Sequence, residues 1–226
     1  MELAIFIAAV AATLVIAAVV VRTTQIRRTR ALARVAAERG FSFDEVAVPF
    51  TDDEMLSVLR FIPAGASLYT GASLTLKEIG FESLLVSGSH PWKNLKAEYL
   101  AEKDPARHTL LRRQSTLADY FLGSVHAVSQ TGQLVIASMT GSQLAPYAYA
   151  ASNIIWVVGA QKITPSLEEA IRRVREHVYP HEDKRIRESS GGKMGSMIGK
   201  LLIIEREAAF LNRKLTVIFV RQKTGD

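Results

Sequence analysis

Between Gly123 and Arg173 the chain alternates apolar runs of strand length with small, polar, glycine-containing clusters, and it closes in a helix-forming segment. Ile154–Val158 is too short for a helix and too apolar for a loop, which predicts a buried strand. Gly132 punctuates a turn between two further strand candidates, Ser124–Val128 and Leu134–Ala137. After the apolar run, Pro165 suits a first helical turn, Ser166 and Glu169 match a cap with its partner, and Leu167, Ala170, Ile171 and Val174 recur at helical spacing. Strand, polar loop and helix form the repeating unit of α/β folds, whose ligands sit beyond the C-terminal ends of the strands. That rule places Gly159, Gln161 and Lys162 at the mouth of a site.

A chain of 226 residues, 48% of them hydrophobic, has material for one α/β domain plus an extra element. Its net charge of +6 resembles a nucleic-acid signal. Much of the excess, however, is gathered in Arg22, Arg27, Arg28, Arg30 and Arg34, and no aromatic residues interleave with them, so nucleic acid is not an expected partner. The cluster follows Leu3–Val21, which is apolar apart from Thr13 and contains no Gly, Pro or charge. At ~1.5 Å per residue a helix of this length covers roughly the ~30 Å hydrocarbon core of a bilayer. Glu2 precedes the stretch and arginines follow it, the reverse of a signal peptide. The expectation is a single-pass anchor over residues 1–22, N-terminus outside, a basic juxtamembrane helix over 23–40 ended by Gly40, and a cytoplasmic α/β domain over 41–226. A cleaved signal or a buried helix is the alternative.

Further along, Phe43–Val48 reads as an edge strand, Thr51–Phe61 as a helix, and Ala66–Thr70 as a short strand that feeds a helix opening at Ser73 or Thr75. Trp92–Arg113 reads as a helical excursion before Leu117–Leu122 resumes the core. Ser189–Gly199 reads as a Gly-rich loop. Leu201–Ile204 and Lys214–Val220 are expected to pair, with Asn212 and Arg213 near the hairpin turn.

Several residues could carry chemistry. Thr70, Gly71, Ser73 and Thr75 lie where a strand end meets a helix start, and their free amides and hydroxyls suit a phosphate or carboxylate. On the simpler reading Gly71 makes the turn, Ser73 caps, and Glu78 packs near the helix start without touching a ligand. His126, expected on one strand face with Ser124 and Val128, is a candidate base with Glu78, or a structural donor. Thr140, Gly141, Ser142 and Gln143 form a small-residue turn that either receives oxygen-rich ligands or only leads to Pro146. Lys162 is the best-placed cation. Arg172, Arg173 and Arg175 are expected mostly in solvent. The five histidines show no metalloprotease-type pair, and no nucleophile elbow, dinucleotide fingerprint or P-loop is present.

The same segments resemble the LUD (lactate-utilisation) domain family. Gly71–Gly80 matches G-x-S-x-T-L-x-E-I-G, and Ser124-Val125-His126-Ala127 followed by Gly132 matches its S-x-N/H-A strand and turn. Gly141-Ser142-Gln143 matches G-[NS]-[RQ], and Val157–Ile163 matches VVG-x-x-K-I. Pro180, Glu182, Asp183 and Arg185 match P-x-E-D-x-R, and Lys214–Val220 is similar to the closing strand. The ordered set spans about Phe43 to Val220. The resemblance implies a Rossmann-like mixed sheet of the kind shared with sugar-phosphate isomerases and CoA transferases. It also implies a role in lactate or related organic-acid use, with a small carboxylate or phosphate held by Thr70, Gly71, Ser73, Thr75, Ser124, His126, Thr140–Gln143, Gln161 and Lys162.

The departures define a branch. Many relatives carry Asn at the position of His126, an acidic pair at Gln130 and Thr131, Asn-Arg at Ser142-Gln143, and a Cys-rich stretch where Ser189–Gly195 stands. This chain has no cysteine, so it supplies no thiolate for an iron–sulfur cluster, a structural zinc site, a Cys nucleophile or a disulfide. No cofactor is evident, and electron transfer would require a partner subunit. The competing reading is a non-catalytic anion-binding or scaffold module at the membrane. An isomerase or acyl-transfer reading lacks an identified nucleophile or acid–base pair.

Overall fold

A computed structural model of the chain describes residues 34–46, 59–220 and 225. It is an α/β protein built on a six-stranded parallel sheet with a second, four-stranded sheet beside it. The strands are β1 (Ser42–Val46), β2 (Ser67–Thr70), β3 (Lys93–Asn94), β4 (Tyr120–Gly123), β5 (Ala127–Ser129), β6 (Leu134–Ser138), β7 (Asn153–Gly159), β8 (Ile163–Thr164), β9 (Lys200–Ile204) and β10 (Lys214–Val220). The large sheet runs β1-β10-β7-β4-β2-β3 and the small one β8-β5-β6-β9. Residues 34–38 and α1 (Leu74–Glu78), α2 (Phe81–Ser87), α3 (Leu95–Ala101), α4 (Pro105–Gln114), α5 (Leu167–Arg173) and α6 (Tyr179–Ser189) are α-helical. Single π-turns cover Pro146–Ala150 and Val174–Val178.

The expected apolar run becomes β7, a central strand whose residues Ile154–Gly159 are all buried, as a parallel strand covered on both faces requires. Alternation divides it. Ile155 and Val157 meet Leu68, Leu122 and Ile218 under α1 and α2, where Leu76, Ile79, Phe81 and Leu85 close the layer. Ile154, Trp156 and Val158 face the opposite core with Phe121, Tyr147, Val217 and Phe219. A third layer packs Ala170 and Val174 on Ala127 and Val135, the outer side of the small sheet.

Local signals start the helices as polar caps should. Asn94 accepts from the amides of Lys96 and Ala97, Asp104 from Arg107 with Pro105 in the first turn, and Ser166 from Glu169. Gly40, at φ 78°, closes residues 34–38, and the Phe41 amide donates back to the Ala36 carbonyl at 2.9 Å.

Two expectations are corrected. β9 and β10 do not form a hairpin: β9 pairs antiparallel with β6 in the small sheet, and β10 lies parallel between β1 and β7. Both runs are apolar enough to be inner strands, and hydrophobicity does not encode a partner. Arg213 is accordingly not near a hairpin turn between them. Its guanidinium donates to the carbonyls of Pro146, Tyr147, Ala148 and Ala151 and pairs with Glu207, both side chains nearly closed to solvent at 6% and 8% exposure. It thereby satisfies the carbonyls that end the Pro146–Ala150 turn.

The expected anchor over residues 3–21, the arginine cluster apart from Arg34, and most of the helix expected over 51–61 fall outside the described residues. Among the described residues no helix is long and apolar enough to cross a membrane.

Removing one member of a buried pair leaves the other charged and unpaired, which typically costs about 3–5 kcal/mol. Arg213→Met should therefore lower the urea midpoint far more than Arg39→Ala, which breaks the more open pair with Glu205 and should cost about 1 kcal/mol or less. Equal losses would show that Arg213 is not a keystone of the fold.

Candidate functional site

The site grows from two short connections. β4 and β7 are parallel neighbours, with Gly123 opposite Trp156. Beyond them β5 and β8 are again parallel neighbours, with Val128 opposite Ile163. The linkers Ser124–His126 and Ala160–Lys162 are thus pinned side by side at the C-terminal edge of the large sheet. The third contribution comes from β2, whose end at Thr70 lies beside Leu122 and leads through Gly71 into α1.

At this junction Lys162 is 96% buried, with 4% exposure. Its ammonium donates to Thr75 Oγ1 at 2.9 Å and to Ser124 Oγ at 3.2 Å. Thr75 Oγ1 donates onward to Ser124 Oγ at 3.3 Å, and Ser124 to the Val125 carbonyl. A buried ammonium is costly unless its donors are engaged, and these hydroxyls supply oxygen at two of its three positions. Gln161, one residue earlier, donates from Nε2 to the Gly225 carbonyl, while the Gly225 amide donates to Glu78 Oε2 at 2.7 Å. Gln161, Lys162, Thr75, Ser124 and Glu78 therefore surround one small space.

Ser73 is placed differently. Its Oγ accepts from the Leu76 amide and caps α1, the simpler of the two readings of the Thr70–Glu78 loop. Thr70 ends β2 with its hydroxyl buried and without a hydrogen-bond partner among the described residues.

On the other side of the strand ends lies a second group. Gly71 is pressed against Gln143: a Cβ there would sit 2.8 Å from Gln143 Oε1. Gln143 Nε2 donates to the Ala137 carbonyl at 3.0 Å. Thr140 and Ser142 share a hydroxyl contact of 3.1 Å, Arg112 donates to Ser142 Oγ at 3.3 Å, and Gly141 makes the turn at φ 87°. Gly123 leaves room for the Tyr147 hydroxyl, which donates to the Ser124 carbonyl at 3.1 Å; any Cβ at Gly123 would overlap it. This turn approaches Gly71, and its hydrogen bonds go to Ala137, Ser138, Arg112 and within the turn itself.

His126 is not on a strand face, because β5 begins only at Ala127. Its Nδ1 accepts from the Ala137 amide at 3.1 Å, so the neutral ring carries its proton on Nε2 and serves as a donor. Burial, with the charges of Lys162 and Arg173 adding to it, pushes its pKa down to about 4. A ring neutral at pH 7, with Nδ1 already accepting, suits polarising a ligand oxygen better than abstracting a proton.

Sequence reasoning missed Arg112, Arg173 and Gly225. Arg112 sat in an unassigned helical excursion. Arg173 was expected in solvent, yet its Nε donates to the His126 carbonyl at 3.2 Å. Only its spacing three residues after Ala170, on the flank of the buried helix face, hinted at this. Gly225 carried no signal.

The sequence pattern of the LUD domain matches residues 33–220, so the chain belongs to the LUD domain family, which is associated with lactate utilisation. Its fold is similar to the crystal structure of a DUF162 family protein from Deinococcus radiodurans, with a TM-score of 0.51 and 12% identity over 86% of this chain and 97% of the other. No curated protein matches the sequence.

A histidine whose folded pKa lies below its unfolded value of about 6.5 binds fewer protons folded than unfolded. Its contribution is complete above about pH 6.5 and is lost as pH falls toward the folded value of about 4. Wild-type stability should thus drop by up to ~3 kcal/mol across that window through this residue alone. Urea unfolding at pH 7 and 4.5 should show a smaller drop for His126→Gln; an identical drop would mean that His126 is not held neutral.

Proposed function

We propose that this chain binds a small organic anion, a carboxylate or a phosphate, and serves as an accessory component in the lactate or related organic-acid chemistry associated with its family. The observation that carries the reading is Lys162, enclosed where three parallel strands end and hydrogen-bonded to Thr75 and Ser124. A cation on a short linker at the carboxyl edge of an α/β sheet meets the general rule for ligand sites in such folds. The neutral Nε2–H of His126 and the Gln161 amide add donors suited to carboxylate or phosphate oxygens.

The chemistry of these groups favours binding over an autonomous reaction. Lysine, glutamine and two hydroxyls orient an anion; the histidine lone pair at Nδ1 is already committed to a backbone amide. We further infer the Rossmann-like architecture that the family shares with sugar-phosphate isomerases and CoA transferases. Residues 3–21 anchor the chain in a membrane with its folded domain on the cytoplasmic side, and any electron transfer proceeds through a partner subunit.

Two measurements test this reading. Lactate, sugar phosphates and CoA esters are titrated against the purified chain while thermal unfolding is followed. A cognate ligand at 100 times its dissociation constant should add ~2.7 kcal/mol of stability, and Lys162→Met should abolish that gain. A gain that survives the substitution puts the site elsewhere. For the anchor, alkaline carbonate should leave the full chain in the membrane pellet and release a variant lacking residues 3–21; release of both would refute anchoring.

A further inference from the structure

The group seated against Lys162 belongs to the chain itself. Gly225 contributes a complete glycyl unit: its N–H donates to the Glu78 carboxylate at 2.7 Å, and its carbonyl accepts from Gln161 Nε2. Its α-carbon lies so close to the cluster that an added Cβ would fall 2.9 Å from Lys162 Nζ and 3.2 Å from the Thr75 amide, and would collide with Thr75 Oγ1. Backbone φ is +65°, a region that side chains with a branched Cβ avoid. The space accepts –NH–CH2–C(=O)– and nothing bulkier at the α-carbon.

These contacts are chemically selective. Ionised, Glu78 is an acceptor only, so it rewards an N–H and repels the oxygen lone pairs of a carboxylate or phosphate placed in the same position. Gln161 Nε2 and the Lys162 ammonium are donors, suited to carbonyl or carboxylate oxygen. An acceptor and a donor set separated by one α-carbon read the order N–H, carbon, C–O. A 2-hydroxy acid can offer an O–H to Glu78, but a hydroxyl rotates and also accepts, whereas an amide N–H only donates along a direction fixed by the amide plane, and an ammonium N–H adds a full positive charge.

We infer that the site selects small carboxylates with an N–H on the 2-carbon, the class of glycine and N-acylated glycine, and that Gly225 is a tethered occupant which such a ligand displaces. This rests on the anion-site reading above and narrows its ligand class. The carboxylate of the free ligand takes the place of the Gly225 carbonyl next to Gln161 and Lys162, and its N–H takes the place of the Gly225 amide on Glu78.

Full-length Gly225→Val tests it, because the branched side chain cannot be seated while Glu78, Gln161, Thr75 and Lys162 are untouched. N-acetylglycine, lactate and inorganic phosphate are titrated by calorimetry into wild type, Gly225→Val, and Gly225→Val with Glu78→Ala. The expected result is N-acetylglycine binding at least tenfold tighter to Gly225→Val than to wild type, and tenfold tighter than lactate. Adding Glu78→Ala should erase the preference for N-acetylglycine over lactate. Lys162-dependent binding without preference for N-acetylglycine overturns this inference alone, whereas no binding of any probe to Gly225→Val overturns the anion site as well. On wild type, selective glycine labelling provides an independent readout: saturating N-acetylglycine should accelerate exchange of the Gly225 amide proton. An unchanged rate overturns displacement.

Discussion

Two parallel strand pairings, β4 with β7 and β5 with β8, decide where everything else in the site can be. Each pairing fixes the relative height of its strands, and the linkers between them are only a few residues long. Ser124 and Lys162 are consequently neighbours although 38 residues separate them in the chain. Because both pairings are parallel, both linkers leave the large sheet at its carboxyl edge, the same edge at which β2 delivers Thr75. The small sheet is thus more than an appendage: by holding β8 beside β5 it closes the lysine against the strand ends.

Within that frame electrostatics assign the roles. An ammonium with almost no solvent is tolerable because hydroxyls and neighbouring polar groups face it. The same positive charge, with that of Arg173, adds to burial in keeping His126 neutral. A protonated imidazole there would be repelled from two sides. The strand ends therefore bring together, among the described residues, the Lys162 ammonium, the neutral His126 imidazole, the Gln161 amide and the Glu78 carboxylate.

Legibility followed how local each signal was. Ile154–Val158 was readable as a strand because every residue in it is apolar, and the helix after it because Ser166 and Glu169 lie within one turn of each other. Lys162 was readable as a cation at the carboxyl edge of the sheet from its place just past that strand. The pairing of β9 was not readable, since Leu201–Ile204 is equally apolar against β6 or β10. Neither was the burial of Arg213, which looks like any polar residue after an Asn in a turn; its four carbonyl partners come from residues more than sixty positions earlier. The Ser142 partner Arg112 and the Glu78 partner Gly225 are likewise distant in sequence.

The amino-acid sequence by itself determined the α/β class, the family, the helix starts, the candidate lysine and the exclusion of thiolate chemistry, because periodicity, capping and composition act over a few residues or over none. Only the tertiary structure decided which strands share a sheet, that His126 sits in a linker with Nδ1 engaged, that Ser73 spends its hydroxyl on a helix cap, and that Gly225 lies against Lys162. Those outcomes depend on strand order and on which polar groups burial forces together, and neither is written in the spacing of residues along the chain.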